Sequence, residues 1–303
     1  MINNHGSWLL IWLALLILVA TVAFYLLFVK ESADYSVASL RLERAALVKQ
    51  DIQFLSRGGK YAHYEVKAVS DKGDTVTAQY RLPAAESKTK ALLWVYDEPR
   101  DLNMSEALDH VPQAQFAAVL ALNIHDLFER DAQGHVDESR GNAWRGMAAS
   151  KRSIDVLLQF LRKHHVNDTT QIYLGGADFA APAALAAAAG LPHRLGGIGM
   201  VNLAGAEGMA PGWQEVDFVK PQTWSGEIHS KRIAQIESSD SAFAKSVVPG
   251  FTQTIEQIHF ENTFGPNSEL GSVVHWIVGA DTASPKRFQP DTSLVRTTTV
   301  TLR

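Results

Sequence analysis

Residues Gln171 to Ala189 constrain the chain most. A β-prone run, Ile172-Tyr173-Leu174, meets Gly175-Gly176, then Ala177-Asp178-Phe179-Ala180, then Pro182 and an alanine tract that ends near Gly190. Aromatic and β-branched residues favour a strand, alanine favours a helix, and proline is tolerated in a helix's first turn. The order predicts strand, sharp turn, helix, with Asp178 carried on the turn. Small residues at Gly176, Ala177 and Ala180 beside Phe179 let the two backbones approach closely there.

Ahead of this stretch, Trp8 to Val29 is apolar except for Thr21 and has no charge, glycine or proline. At about 1.5 Å of rise per residue it spans roughly the 30 Å hydrocarbon core of a bilayer, so residues 1–29 are expected to form a tail and one transmembrane helix. A cleavable signal would carry a basic start and a shorter apolar core, and Met1 to Ser7 has neither Lys nor Arg. Lys30, Arg41, Arg44 and Lys49 follow the helix. Taken literally, the positive-inside rule then puts the bulk of the chain in the cytoplasm. The absence of cysteine and the habit of membrane-tethered domains of the kind described below point to the periplasmic face of a bacterial inner membrane. The periplasmic reading is taken, with the cytoplasmic one left open.

Ser32 to Phe54 places Val37, Leu40, Leu47 and Val48 among paired charges. That pattern suits a juxtamembrane helix or linker over 30–59, broken by Arg57-Gly58-Gly59-Lys60 at the boundary of a domain over 60–303. From Tyr64 the residues alternate, turn at Asp71-Lys72-Gly73-Asp74, and alternate again to Leu82, which predicts a hairpin. Ala91–Tyr96 and Phe116–Leu122 are continuous apolar runs of the kind buried on both faces of a parallel sheet. Met104 to His110 between them is expected to be helical. Ser153 to His165 carries Ile154, Leu157, Leu158 and Leu161 on one helical stripe. Further strands are expected at Ile198–Leu203, Ser272–Val278 and Thr297–Leu302. The irregular stretch 204–271, with Trp213, Trp224 and several prolines, is expected to form a cap-like insertion over the sheet.

Composition closes several routes. No cysteine is present, which excludes disulfides and thiolate nucleophiles. A formal charge of -4 without a basic stripe in the main domain argues against nucleic acid. His125, Asp126, Glu129, Asp131, His135, Asp137 and Glu138 crowd one loop, but their spacing fits neither an EF-hand nor a zinc helix, so a solvated loop is expected and no metal. Gly175-Gly176 is part of no dinucleotide or P-loop fingerprint, and no cofactor is expected.

The opening hairpin ending Tyr80-Arg81-Leu82-Pro83, the helix-strand-turn from Arg152 to Ala189, and Trp276-Ile277-Val278-Gly279-Ala280-Asp281 together resemble the α/β-hydrolase superfamily, in particular its esterase, depolymerase and dienelactone-hydrolase-like members. The resemblance implies an α/β fold with a mostly parallel, doubly wound sheet behind the transmembrane helix. It also implies that Gly176-Ala177-Asp178-Phe179-Ala180 is the nucleophile elbow, which usually reads G-x-S-x-G. Asp281 would then stand at the end of the strand that bears the family's acid.

Three departures bear on function. Asp178 replaces the serine. It is either a nucleophile, as in relatives similar to haloalkane dehalogenases and epoxide hydrolases, or the N-cap of the alanine helix. No histidine follows Asp281 up to Arg303. His125, His229 and His259 are the conceivable substitutes, and loss of a general base costs about 10²–10⁴-fold. The loop after Tyr96 reads Asp97-Glu98-Pro99, where the family usually has His-Gly and an oxyanion donor. Two readings follow. One is a membrane-anchored, non-catalytic protein that binds a partner protein or small ligand in the elbow crevice. The other is a membrane-tethered hydrolase using Asp178, Asp281 and His125 on an ester, halide or epoxide.

Overall fold

The computed structural model describes residues 5–24, 35–58, 61–83, 90–97, 117–165, 169–191, 195–201, 213, 216–220, 223–224, 226–228, 233–238, 257–262 and 298–299. Its framework is one sheet of ten strands: β1 (Leu47–Gly58), β2 (Tyr61–Ser70), β3 (Thr75–Pro83), β4 (Lys90–Tyr96), β5 (Ala117–Asn123), β6 (Ile172–Ala177), β7 (Gly197–Val201), β8 (Ile233–Ser238), β9 (Gln257–Asn262) and β10 (Thr298–Thr299). In space the order is β1-β2-β3-β5-β4-β6-β7-β8-β9-β10. Strand β2 is antiparallel to both β1 and β3, and β3 is antiparallel to β5; every later neighbour is parallel. The chain steps from β4 outward to β5 and then returns to β6 on the other side of β4. The crevice between the ends of β4 and β6 is therefore a topological switch point, where sheets of this class bind ligands.

The helices are α1 (His5–Phe24), α2 (Val37–Leu42), α3 (Arg140–His164) and α4 (Ala181–Ala189). The hairpin, the two apolar strands, the strand-turn-helix and a pair of residues in the last expected strand stand where the sequence places them. Helix α3 starts well before the expected Ser153. Ser139 caps it by accepting from the Asn142 amide at 3.2 Å, and Gly146, which obscures the periodicity, is small because the Phe128 ring lies where its Cβ would be.

Two expectations are corrected. Residues 47–58 are not part of a juxtamembrane helix or linker: they form β1, with Gly58 paired to Tyr61, so Arg57–Lys60 joins two strands and is no domain boundary. The period-two alternation of Lys49, Asp51 and Gln53 with Gln50, Ile52 and Phe54 carries the strand, and the charges had hidden it. The stretch read as a cap-like insertion, 204–271, contributes β8 and β9 to the sheet. Both are short and mixed in polarity, without the continuous apolar run of a two-face-buried strand. Trp213 and Trp224 are fully buried in the core. The expected helix Met104–His110 and the strand Ser272–Val278 lie outside the described residues.

Among the described residues no helix is long and apolar enough to cross a membrane. Within α1 the side chains are described from Trp12 to Val22, and all of them are exposed.

Between α1 and β1, residues 35–47 lie along one face of α3. Arg140 donates to the Tyr35 carbonyl through Nε and Nη2 at 3.1 and 2.9 Å. The Trp144 indole donates to Ser39 Oγ at 3.1 Å. Lys151 Nζ donates to the Glu43 and Arg41 carbonyls at the end of α2, at 2.5 and 3.3 Å. Arg44 pairs with Asp155 at 2.8 Å, and Gln159 donates to the Ala45 carbonyl at 2.7 Å while accepting from the Leu47 amide at 3.0 Å. Lys151 and Asp155 are both buried. Burial lowers the Lys151 amine to about 8 and raises the Asp155 carboxyl to about 6, with Arg44 opposing the latter shift.

Because folding raises the Asp155 pKa, its contribution to stability is fully present below the unfolded value of 3.8 and is lost as pH rises through about 6. Thermal or denaturant unfolding of the purified chain should show the parent gaining on Asp155→Asn by on the order of 2–3 kcal/mol as pH falls from roughly 7 to 4. A flat difference across that window contradicts the assignment.

Candidate functional site

The site is built where three strands end together. Strand β6 reaches the end of the sheet with two glycines. A Cβ on Gly175 would lie 2.2 Å from the Trp94 ring of β4, and one on Gly176 would lie 3.0 Å from both Ala181 Cα and Ala184 Cβ of α4. Glycine at 175 lets Trp94 lie over the strand, and glycine at 176 eases the close packing of α4, which is why the β-prone run changes character at that point. Ala177 closes β6, and Asp178–Ala180 form one turn of 3-10 helix leading into α4. Ala180 occupies the N-cap of α4 and Pro182 sits in its first turn. Asp178 is therefore not the helix N-cap, which corrects one of the two readings given to it; its side chain lies outside the described residues. It does hold the elbow position, directly after the strand.

Beside it, β4 ends at Tyr96 and delivers Asp97. Strand β5 ends at Asn123, whose side chain accepts from the His125 amide at 3.0 Å, and the Ile124 amide donates to the Tyr96 carbonyl at 2.9 Å. These bonds hold the two strand ends in register. They bring His125 Nδ1 to 2.9 Å from Asp97 Oδ1. Arg130 closes the group: one guanidinium nitrogen donates to both Asp97 oxygens, at 2.8 and 2.9 Å, while Nε donates to the His125 carbonyl at 3.2 Å. All three side chains are mostly buried. A carboxylate oxygen accepts, so His125 Nδ1 is the donor in this bond and Nε2 lies on the opposite edge of the ring.

The Arg130 guanidinium lies 6.0 Å from the centre of the Phe179 ring, next to Asp178 in the chain. Phe179 in turn packs on Phe128 at 4.8 Å and Trp213 at 5.2 Å, with Phe128 and Trp213 5.6 Å apart. The elbow is thus flanked by an ion-paired polar group and an aromatic triangle.

Of the sequence-derived candidates, His125, Gly176, Ala177, Phe179 and Ala180 come together at this edge. Asp281 and His229 lie outside the described residues, and His259 lies in β9. Asp97 has a different place from the one expected: its carboxylate is not a bare charge, because Arg130 forms an ion pair with it and His125 is hydrogen-bonded to it. Arg130 was missed; it follows His125 by five residues in a loop read as acidic, and nothing in its spacing marks it. Among the described residues no group of three or more His, Asp or Glu could hold a metal ion.

No family model and no curated protein matches the sequence. Solved structures do match the fold. An S-formylglutathione hydrolase from Agrobacterium tumefaciens aligns with a TM-score of 0.51 at 9% identity, over 77% of this chain and 98% of that one. Acetyl xylan esterase 1 from Thermoanaerobacterium sp. JW/SL YS485 aligns at 0.46 and 13% identity, over 68% and 76%. A glucuronoyl esterase from Solibacter usitatus aligns at 0.46 and 12%, over 68% and 73%.

Truncating Arg130 leaves a mostly buried carboxylate short of two charge-assisted bonds. Arg130→Ala should destabilise the chain by about 1–3 kcal/mol in denaturant unfolding, and Arg130→Lys should recover only part of this because an ammonium cannot reproduce the guanidinium fork.

Proposed function

We propose that this chain, which has the α/β-hydrolase fold, is a membrane-anchored member of that fold that binds a partner protein or small ligand in its switch-point crevice without turning it over. The observation that carries the reading is the closed Asp97–His125–Arg130 group. It stands at the end of β4, where hydrolases of this fold usually begin the loop that donates to an oxyanion, and here the position accepts hydrogen bonds. The elbow offers Asp178 in place of serine. Together these remove two parts of acyl-transfer chemistry while keeping a crevice lined by cation, imidazole and aromatic surface, all of which suit binding.

A second reading keeps the elbow catalytic. The geometry that favours it is the Asp97–His125 pair itself: a carboxylate on Nδ1 fixes the ring and leaves Nε2 to take a proton. Asp178 would attack the carbon of an alkyl halide and release halide, or that of an epoxide and open the ring to an alkoxide that takes a proton from water, forming an aspartyl ester in both cases; on an ester it would attack the acyl carbon, expel an alkoxide that takes a proton from water, and form a mixed anhydride, and water activated by His125 would hydrolyse either intermediate. Asp281 would take the family's acid position.

The two readings separate on turnover. The purified full chain, assayed on p-nitrophenyl acetate, a haloalkane and an aryl epoxide, should show no rate that depends on Asp178 or His125. A fall of about 100-fold or more in Asp178→Asn and in His125→Ala establishes the hydrolase instead.

Anchoring through Trp8–Val29, on a bacterial inner membrane with the domain on the periplasmic side, belongs to the same proposal. What supports it is the uncharged apolar run and the exposure of Trp12, Leu16, Ile17, Leu18 and Val19. The full chain should stay in the membrane pellet after alkaline carbonate extraction. Leu16→Arg with Val19→Arg, each costing about 2.5–3.5 kcal/mol at a helix centre, should move it to the supernatant.

A further inference from the structure

Residues 35–46, the arm between α1 and β1, lie on α3 through a polar seam. Arg140, Trp144, Lys151 and Gln159 donate to the backbone carbonyls of Tyr35, Ser36, Arg41, Glu43 and Ala45. Of the arm's own residues, Leu40 and Ala45 are the buried ones. Asp155 sits in the middle of the seam and is 4% exposed. Its Oδ1 accepts from Arg44 at 2.8 Å, while its Oδ2 is buried without a hydrogen-bond partner among the described residues. An ionised carboxylate with one bare oxygen is better satisfied in water than in such a seam, and a neutral carboxyl loses less on burial. We infer that the arm opens locally from α3 while the rest of the domain stays folded, and that Asp155 makes its grip depend on pH, tight in acid and loosest near neutrality.

The charges around the seam give the sign. Asp155 is faced by Arg44 and the Ala45 amide from the arm and by Lys151 from its own helix. Lys151 is faced by Arg44 and Glu43 of the arm, by Asp155, and by Glu227. Glu227 is itself paired with Arg41, and Glu43 with Arg152, which also holds Asp74. Helix α4 brings no titratable side chain to the seam; its end meets it at Gly190, where any Cβ would collide with the Arg44 guanidinium. Burial outweighs the cations at Asp155 and raises the carboxyl to about 6, and burial lowers the Lys151 amine to about 8. Opening returns both groups to water and to their ordinary values. Closure therefore takes up a proton at Asp155 as pH falls through about 6 and releases one from Lys151 as pH rises through about 8, so the grip is weakest between the two. The inference rests on the arm and not on the function proposed for the crevice.

Protection of a buried thiol separates local opening from unfolding. The chain has no cysteine, so Ala45→Cys in the arm and Ala118→Cys in β5, both at buried positions, each report without background. Each purified full chain would be reacted with dithiodipyridine, and its rate compared with that of the same variant unfolded in urea at the same pH. At neutral pH the thiol of Ala45→Cys should be less protected than that of Ala118→Cys by on the order of 100-fold, because a local opening costs less than global unfolding. Its protection should fall about tenfold between roughly pH 5 and 7 as Asp155 ionises. Adding Asp155→Asn to Ala45→Cys should abolish that fall, since an amide oxygen still accepts from Arg44 and does not titrate. Leu40→Cys, on the same arm, carries the same expectations where Ala45→Cys fails to fold. Equal protection in the arm and in β5, arm protection that is flat or rises between those pH values, or an unchanged fall with Asp155→Asn overturns the proposal.

Discussion

The crevice exists because α4 can lie almost on top of β6. A Cβ at Gly176 would press on Ala181 and Ala184 at 3.0 Å, and one at Gly175 would overlap the Trp94 ring. Those contacts fix the relative height of β4, β6 and α4, and hence where each strand end delivers its next residue. Asp178 leaves β6 and Asp97 leaves β4 on the same edge because the strands run parallel in a register that pairs Trp94 with Gly175 and Val95 with Gly176. A wider helix-strand spacing would separate the turn at Asp178–Ala180 from the end of β4. The tract of buried alanines in α4 belongs to the same constraint, since small side chains allow close helix-on-sheet packing at the expense of buried apolar area.

Electrostatics then decide what the crevice presents. Asp97 alone, mostly buried at a strand end, would be costly. Arg130 offsets that cost with two bonds to the carboxylate and a third to the His125 carbonyl, so the three residues act as one rigid unit. The carboxylate accepts three hydrogen bonds, and the far edge of the imidazole is not bonded to it. The Arg130 guanidinium lies toward the Phe179 ring, so an ion pair and an aromatic cluster meet at this edge.

Much of this was legible in the chain. The elbow could be read because its glycines and its proline each have one structural use at that spacing. Strands β4 and β5 could be read because strands buried on both faces are continuously apolar. Strand β1 could not, since Lys49, Asp51 and Gln53 on an exposed edge look like the charged face of a helix, and only pairing with β2 resolves the ambiguity. Strands β8 and β9 were missed for a related reason: six residues such as Gln257–Asn262 carry too little apolar pattern to separate from loop, and their stability comes from neighbours in the sheet. Arg130 illustrates a different limit. Its partner Asp97 is 33 residues away, and no local pattern encodes an ion pair formed by two strand ends meeting.

Residues 35–47, between α1 and β1, are fastened to the domain and do not form a loose stalk. Here Tyr35, Ser39, Arg41, Glu43, Arg44 and Ala45 are each bonded to α3, and Leu40 is fully buried. Two of the bonds come from Lys151, a buried cation that does its work at the carbonyl end of α2, where the helix dipole favours positive charge. Its neighbour in the arm, Arg44, answers the buried Asp155, so charges that would each be expensive alone compensate one another across the two segments. Any force or orientation imposed on the chain before Tyr35 is thereby transmitted to α3. Helix α3 lies against the sheet under β1 and β2 and contacts the turn at His125–Leu127. The path from Tyr35 to the turn at His125–Leu127 therefore runs through packed, bonded segments.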